Sequence, residues 1–124
     1  MSPLIDRLTT DLGWPLLDSL EDFEAYIASP GAHAIFVPGD PARNLESNDV
    51  AVILPELVMH HQRAFDAAVA GTAIEAQIRE LAKTFQTPSL LFYRDGAFLG
   101  AIPKVRDWDD YMTRIAHILQ PEAA

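Results

Sequence analysis

The stretch FQTPSLLFYRDGAFLG, residues 85–100, predicts a β-hairpin and, with it, the type of sheet. Residues 89–93 and 97–102 are two apolar runs of strand length, separated by Arg94-Asp95-Gly96. An Asp-Gly pair is a strong hairpin signal, because glycine tolerates the positive φ that such turns require. Thr87-Pro88 stands directly before the first of the two strands. The two strands must pair antiparallel.

Upstream of this hairpin, strand-like runs alternate with helical patterns, and such alternation favours parallel pairing through right-handed crossovers. Added to the antiparallel hairpin, this predicts an α/β fold: a three-layer sandwich with a mixed sheet and helices on both faces. We expect one domain over residues 1–124, with residues 1–12 as an N-terminal helix or arm and residues 121–124 as a frayed tail. The other predicted strands are 14–17, 32–37 and 64–70, and the other predicted helices are 20–28, 49–62, 71–85 and 107–119.

Local sequence signals indicate where some of these helices begin or bend and which of their faces are buried. Asp18 or Ser19 can cap the first of them, and Pro55 is expected to kink the second. The third has an apolar face made of Ile74, Ile78, Leu81, Ala82 and Phe85. The last has an inward face made of Trp108, Tyr111, Met112, Ile115 and Leu119.

Composition excludes several classes of function. The chain of 124 residues is 49% hydrophobic and carries a formal net charge of −9, which argues against nucleic-acid binding. It contains no cysteine, so disulfides and thiolate chemistry are excluded. No apolar run is long enough for a membrane helix, and no secretory signal is recognisable, so we expect a cytoplasmic location.

The acidic charge is uneven. Six acids and no lysine or arginine lie between Leu8 and Ala42. Such a run is commonly a solvated surface that keeps a protein soluble, and it can equally act as a landing site for a basic partner. The sequence leaves both interpretations open.

The order of elements resembles the thioredoxin fold over nearly the whole chain. In thioredoxins a cis-proline precedes the fourth strand, as Pro88 does here, and a proline kinks the long second helix, as Pro55 does here. The segment RDGAFLG also resembles the hairpin after the cis-proline strand. The resemblance implies a cis Thr87-Pro88 bond.

The redox residues of thioredoxins are missing from this frame. Thioredoxin spacing from Pro55 places the two cysteine positions at Ser47 and Val50, and Ile35 stands where thioredoxins keep a buried carboxylate. Disulfide exchange needs an attacking thiolate, which this chain cannot supply. The loop before these positions is also longer, because DPARNLE is inserted after the second strand.

A narrower resemblance is to the HupG/HyaE hydrogenase-expression family, whose members are thioredoxin-like without the redox cysteines. The similar segments are GDPARNLESNDVAVILPEL (39–57), DAAVA (66–70) and FQTPSLLFYRDGAFLGAIPKVRDWDDYM (85–112). The resemblance implies a maturation role for [NiFe] uptake hydrogenases, in which the precursor of the small subunit, with its twin-arginine signal, is held before export. Other hydrogenase accessory proteins are further candidate partners. No catalysis, cofactor, metal site or membrane insertion is expected.

Peptide binding in this frame would use the backbone beside the cis-proline, here Gln86-Thr87-Pro88. A cationic signal would be steered by acids, and the carboxylates nearest the groove are Asp40, Glu46 and Asp49. Arg43 in the same loop would oppose a cation unless it pairs with one of them. The full set of candidate partner-binding residues is Gln86, Thr87, Pro88, Asp40, Arg43, Glu46, Ser47, Asp49 and Val50.

Other functions have weaker support. His60 and His61 are adjacent and point about 100° apart on a helix, so they are expected to be helix-end imidazoles rather than metal ligands. A Ser47–His60–Asp49 hydrolase lacks a nucleophile elbow. Pro41 and Leu45 are an apolar spot for a partner if exposed. The alternative to a precursor chaperone is a scaffolding subunit of a maturation complex that does not bind the signal peptide.

Overall fold

The computed structural model describes residues 3–40, 42–44, 46–62 and 64–120. The terminal residues 121–124, Pro41 and Leu45, for which the sequence suggested a tail and an apolar spot, lie outside these ranges. In chain order the elements are α1 (Pro3–Thr10), β1 (Leu16–Leu17), α2 (Leu20–Ala28), β2 (Ala32–Val37), α3 (Glu46–His60), β3 (Phe65–Ala70), α4 (Glu75–Ala82), β4 (Ser89–Arg94), β5 (Ala97–Pro103) and α5 (Trp108–Ile118).

The five strands form one mixed sheet in the order β1-β3-β2-β4-β5. The β1–β3 and β2–β3 pairs are parallel, whereas β2–β4 and β4–β5 are antiparallel. At the hairpin turn, Asp95 and Gly96 have φ values of 52° and 81°, as a two-residue turn with both central residues at positive φ requires. The five predicted strands, their order along the chain and the mixed pairing are confirmed, although β1 covers only Leu16–Leu17 of the predicted 14–17.

Helices cover both faces of the sheet. On one face α1, α3 and α5 pack through residues such as Ile5, Leu54 and Tyr111, which are fully buried. On the other face α2 and α4 pack through Phe23 and Ile78. The three-layer prediction is thus confirmed. None of the helices in the described ranges is long and apolar enough to cross a bilayer.

The predicted start of α3 is wrong by three residues. The helix begins at Glu46 instead of Asp49, because the Ser47 N–H already donates to the Asn44 carbonyl at 3.1 Å. Pro55 lies inside this helix as predicted. The irregular loop before α3 is therefore shorter than the sequence indicated, and the last inserted residue, Glu46, already belongs to the helix.

The predicted extent and apolar face of α4 are also partly wrong. The helix spans Glu75–Ala82 instead of 71–85. Lys83 adopts the left-handed conformation, so Phe85 leaves the helix and is 57% exposed. Leu81 is 60% exposed, because the face that packs on the sheet is formed by Ile78 and Ala82. Ser19, by contrast, caps α2 as predicted, accepting a hydrogen bond from the Asp22 N–H at 3.0 Å.

Candidate functional site

The Thr87-Pro88 bond is cis, as the resemblance implied. The Pro88 carbonyl accepts a hydrogen bond from the Lys104 N–H at 2.6 Å, which joins the start of β4 to the chain after β5. Neither Gln86 nor Thr87 makes a backbone hydrogen bond to another residue in the described ranges. The main chain just before β4 is therefore an unused edge of donors and acceptors, and a bound peptide strand can satisfy it.

The loop after β2 forms the wall opposite this edge. Gly39 has a φ of 73°, and a Cβ placed on it would lie 2.4 Å from the Thr87 Oγ1 and 2.7 Å from the Asn44 Nδ2. Glycine is needed here both for its backbone conformation and for this close approach. The Asn44 Nδ2 donates to the Thr87 Oγ1 at 3.2 Å, so the loop is held against the segment that precedes β4.

Between these walls lies a polar depression of about 600 Å³, which we call the cis-proline groove. Its walls come from the loop after β2, the start of α4 and the segment before β4. The lining residues are Gly39, Asp40, Arg43, Thr72, Glu75, Ala76, Arg79 and Thr87.

Glu75 is a groove residue that the sequence did not reveal, as are Thr72, Ala76 and Arg79. Only 9% of Glu75 is exposed, and its Oε1 accepts a hydrogen bond from the Gly39 N–H at 2.9 Å. Burial raises the pKa of the Glu75 carboxyl above its ordinary value and the nearby Asp40 adds to this, while the Gly39 hydrogen bond and Arg79 oppose it. An acid in the first turn of a helix is ordinarily a surface residue, so no sequence signal marked it.

The three predicted carboxylates differ in their surroundings. Asp40 lies 3.8 Å from the Arg43 Nε, so Arg43 does pair with one of the loop acids. Glu46 lies 3.9 Å from the Lys104 Nζ. Asp49 is exposed, with no ion pair to another residue in the described part of the chain. Of these three acids only Asp40 lines the groove, whereas Glu46 and Asp49 lie in the first turn of α3. Asp49 is the one of the three without an ion pair in the described ranges.

The two positions that match the thioredoxin cysteines are not presented to solvent. Ser47 is fully buried, and its hydroxyl donates to the Pro38 carbonyl at 2.5 Å. Val50 is 1% exposed and belongs to the core beneath α3. Both side chains therefore stabilise the frame of the groove, and neither is open to direct contact with a partner.

His60 and His61, at the end of α3 and just after it, pack against aromatic rings. His60 lies edge-on to Trp108 with ring centroids 4.9 Å apart, and His61 lies 5.9 Å from Phe65. Burial lowers the pKa of His61, and the neighbouring His60 contributes. Within the described ranges no group of three potential metal ligands comes together.

His33 is buried in a cluster that the sequence did not indicate. Its Nδ1 lies 2.5 Å from the Asp66 carboxylate, which also accepts a hydrogen bond from the Tyr26 hydroxyl at 2.6 Å. Its Nε2 lies 3.0 Å from the Ser29 hydroxyl and 2.9 Å from the Ser29 carbonyl. Because the Ser29 hydroxyl itself donates to the Tyr26 carbonyl, Nε2 faces two acceptors and must donate. The cluster of Ser29, His33 and Asp66 therefore holds α2 to the sheet. Because Nε2 donates, His33 cannot act as the base that deprotonates a serine nucleophile.

Comparison with solved structures agrees with this architecture. A thioredoxin variant from Halobacterium salinarum NRC-1 superposes with a TM-score of 0.70 at 10% identity, covering 88% of this chain and 93% of that one. At this identity the likeness concerns the fold alone. A hydrogenase expression/formation protein HupG from Rhodopseudomonas palustris CGA009 has a TM-score of 0.57 at 30% identity, covering 85% of this chain and 94% of that one.

Sequence comparison is more specific. The chain is 56% identical to the hydrogenase expression/formation protein HupG of Rhodobacter capsulatus, over 94% of this chain and 85% of that protein. It is 42% identical to HoxO of Azotobacter vinelandii, a protein of the same description, over 97% of this chain and 80% of that protein. The profile of the family described as hydrogenase-1 expression protein HyaE matches residues 4–111. With its thioredoxin-like fold and its lack of cysteine, this chain belongs to the HyaE family of hydrogenase expression proteins.

Proposed function

We propose that this protein is a cytoplasmic chaperone that holds the precursor of a [NiFe] uptake hydrogenase small subunit, together with its twin-arginine signal, before export. It works without catalysis and without a cofactor. The fold keeps the peptide-holding part of a thioredoxin, while the chain lacks every thiol that disulfide exchange would require. Binding, rather than chemistry, is then the task of the groove.

The unused backbone of Gln86 and Thr87 is the observation that carries this proposal. An extended peptide laid along it gains main-chain hydrogen bonds regardless of its side chains, as in β-strand addition. Asn44 and Gly39 hold the opposite wall close to Thr87, so the edge is ordered before a peptide arrives. An ordered edge lowers the entropic cost of binding.

The recognition of arginine would come from Asp40, which lines the groove, and from Glu46 and Asp49 in the first turn of α3. Asp49 offers both carboxylate oxygens to a guanidinium in a two-point arrangement. Asp40 and Glu46 already face Arg43 and Lys104, so a ligand arginine would exchange with these exposed cations. The overall charge of −9 steers a cationic peptide toward the protein from further away.

Titration calorimetry with the synthetic signal peptide of the small-subunit precursor tests the proposal. We expect binding that weakens as salt is raised and that weakens further when both arginines of the peptide are replaced by glutamine. The Asp49→Asn variant should bind about three- to tenfold less tightly, which is the scale of one exposed charge-assisted hydrogen bond. Glu56→Gln, on the exposed part of the same helix, is the matched control and should bind as the wild type does.

The absence of binding at low salt would overturn the proposal. The scaffolding alternative would then gain support, since a scaffold is expected to co-purify with another maturation protein without binding the peptide. Binding that is unaffected by salt and by loss of the arginines would support peptide binding by this protein, but it would overturn recognition of the twin arginines.

A further inference from the structure

A second depression lies between the start of α2 and the exposed side of α4, and we call it the α2–α4 groove. It has a volume of about 390 Å³ and is lined by Leu20, Ala76, Gln77, Glu80 and Leu81. Leu81 is 60% exposed at its edge, although its neighbours Ile78 and Ala82 are buried against the sheet. Leu20 and Leu81 are thus the two large apolar side chains that line this depression.

The α2–α4 groove adjoins the cis-proline groove. Ala76 lines both depressions, one on each side of the first turn of α4. Its side chain is a single methyl group, so the ridge between the two grooves is low. A peptide that lies along Thr87 and passes Glu75 can therefore cross α4 over Ala76 and continue toward Leu20 and Leu81.

The charges around the α2–α4 groove define what fits it. Glu80 is paired with Lys83 at 3.2 Å, so it attracts a ligand weakly. The adjacent helix α2 carries Glu21, Asp22 and Glu24, all exposed, and no lysine or arginine. Glu24 lies one turn after Leu20 and therefore on the same side of the helix. An apolar side chain flanked by a basic residue is complementary to this surface.

We infer that a peptide bound in the cis-proline groove continues over Ala76 and places an apolar side chain between Leu20 and Leu81, with a neighbouring basic residue facing Glu21 and Glu24. This inference rests on the proposed function and extends it, since it defines a second subsite for the same peptide. It also gives a role to the uncompensated acids of α2. The occupant is an extended cationic and apolar peptide segment.

Methyl and amide NMR spectra of the labelled chain, titrated with the same signal peptide, test the inference. We expect the methyl signals of Leu20, Ala76 and Leu81 to shift together with the amide signals of Gly39 and Thr87. The two sets of signals should titrate with one common dissociation constant, because they report one bound peptide.

Two substitutions complete the test. Leu81→Ser should weaken binding about tenfold, because it removes one apolar side chain from the contact. Since Leu81 is exposed, this change should leave the fold intact, as the spectrum of the free variant will show. Val52→Ser changes a side chain of similar exposure, 50%, on α3 at the other face of the sheet, and should bind as the wild type does.

The outcomes separate the two proposals. Shifts at Gly39 and Thr87 without shifts at Leu20 and Leu81, or wild-type affinity in Leu81→Ser, would overturn the second subsite and leave the proposed function standing. Shifts confined to the α2–α4 groove would overturn the continuous path and the cis-proline groove alike. No shift anywhere in the wild type would overturn both proposals.

Discussion

The carboxylate of Glu75 accepts a hydrogen bond from the backbone N–H of Gly39 at 2.9 Å, across 36 positions of the chain. This contact joins the start of α4 to the loop after β2 and closes one wall of the cis-proline groove. Because Glu75 is 9% exposed, the charge of its carboxylate is held with little water around it. The stability of the groove is therefore linked to pH.

The first prediction concerns this linkage in Glu75→Gln. The pKa of Glu75 is raised in the folded protein. Between the ordinary glutamate pKa and this raised pKa, the folded state therefore holds a proton that the unfolded state has already released. The contribution of Glu75 to stability is thus greatest below the ordinary glutamate pKa and falls as pH rises through the raised pKa. Glutamine keeps an oxygen that accepts from Gly39 and does not titrate, so this part of the pH slope should vanish.

Urea unfolding of the wild type and of Glu75→Gln, measured from acid to neutral pH, checks the prediction. The difference between the two free energies should move in favour of the variant as pH rises. Glu75→Ala is the control for the hydrogen bond, and should cost about 1–3 kcal/mol because the Gly39 N–H loses its partner. Parallel pH curves for wild type and Glu75→Gln would contradict the linkage.

The second prediction concerns Gly39→Ala. Alanine at this position must adopt a positive φ, and its Cβ would also meet the Thr87 Oγ1 at 2.4 Å. Gly96→Ala is a matched control, because Gly96 also has a positive φ of 81° but no atom within 4 Å of the added Cβ. The control should lose about 1–2 kcal/mol for its backbone conformation alone.

Gly39→Ala should therefore lose clearly more stability than Gly96→Ala in denaturant titrations. It should also weaken peptide binding, because the loop has to move away from Thr87. Equal losses for the two variants would show that the loop yields to the added methyl group without cost, and that the close approach is unimportant.

The third prediction concerns the position of the first missing cysteine. Ser47 is fully buried, whereas Asp49, two residues later on α3, is exposed. The thiol of Ser47→Cys should react with an aromatic disulfide reagent only as fast as the protein opens, while Asp49→Cys should react at the rate of a free thiol. Ser47→Cys should also lose about 1 kcal/mol with its hydrogen bond to the Pro38 carbonyl. Comparable reaction rates in the two folded variants would show that the frame still presents this position, as a redox thioredoxin does.

The fourth prediction concerns the cluster of His33, Asp66 and Tyr26. In Asp66→Ala, the His33 Nδ1 and the Tyr26 hydroxyl both lose their acceptor, and we expect a loss of about 1–3 kcal/mol. Tyr26→Phe removes one hydrogen bond but leaves the contact between His33 and Asp66, so it should cost about 1 kcal/mol or less. Thermal and urea unfolding of both variants would measure this order, and a loss in Asp66→Ala no larger than that in Tyr26→Phe would show that the His33–Asp66 contact contributes little to stability.

The hairpin and the sheet were predictable because their signals are local. Asp95-Gly96 encodes its turn within two residues, and the buried run 32–37 can form only an interior strand. Alternation of strands with helices then leaves few possible sheet orders, since crossovers are right-handed. Thr87-Pro88 and Pro55 added the resemblance that located the groove.

The composition of the groove was only partly predictable. Asp40 and Thr87 adjoin turn or proline signals, and the structure brings them to the same depression. Glu75 gave no signal, because its burial depends on a contact with Gly39, far away in sequence. Ser47 and Val50 were placed by spacing alone, and spacing does not reveal that α3 turns both of them toward the protein interior.

The sequence by itself determined the α/β class, the mixed sheet and the lack of thiol chemistry, because these follow from local turn signals, periodicity and composition. It also indicated the family, through the resemblance of the segments 39–57, 66–70 and 85–112. Only the tertiary structure decided which side chains meet around the cis-proline, which acids keep their charge uncompensated, and that Leu81 and Phe85 face solvent. These features depend on where helices end and on contacts between distant segments. Such contacts join residues that are far apart in the chain, as Gly39 and Glu75 are, so no pattern among neighbouring residues marks them.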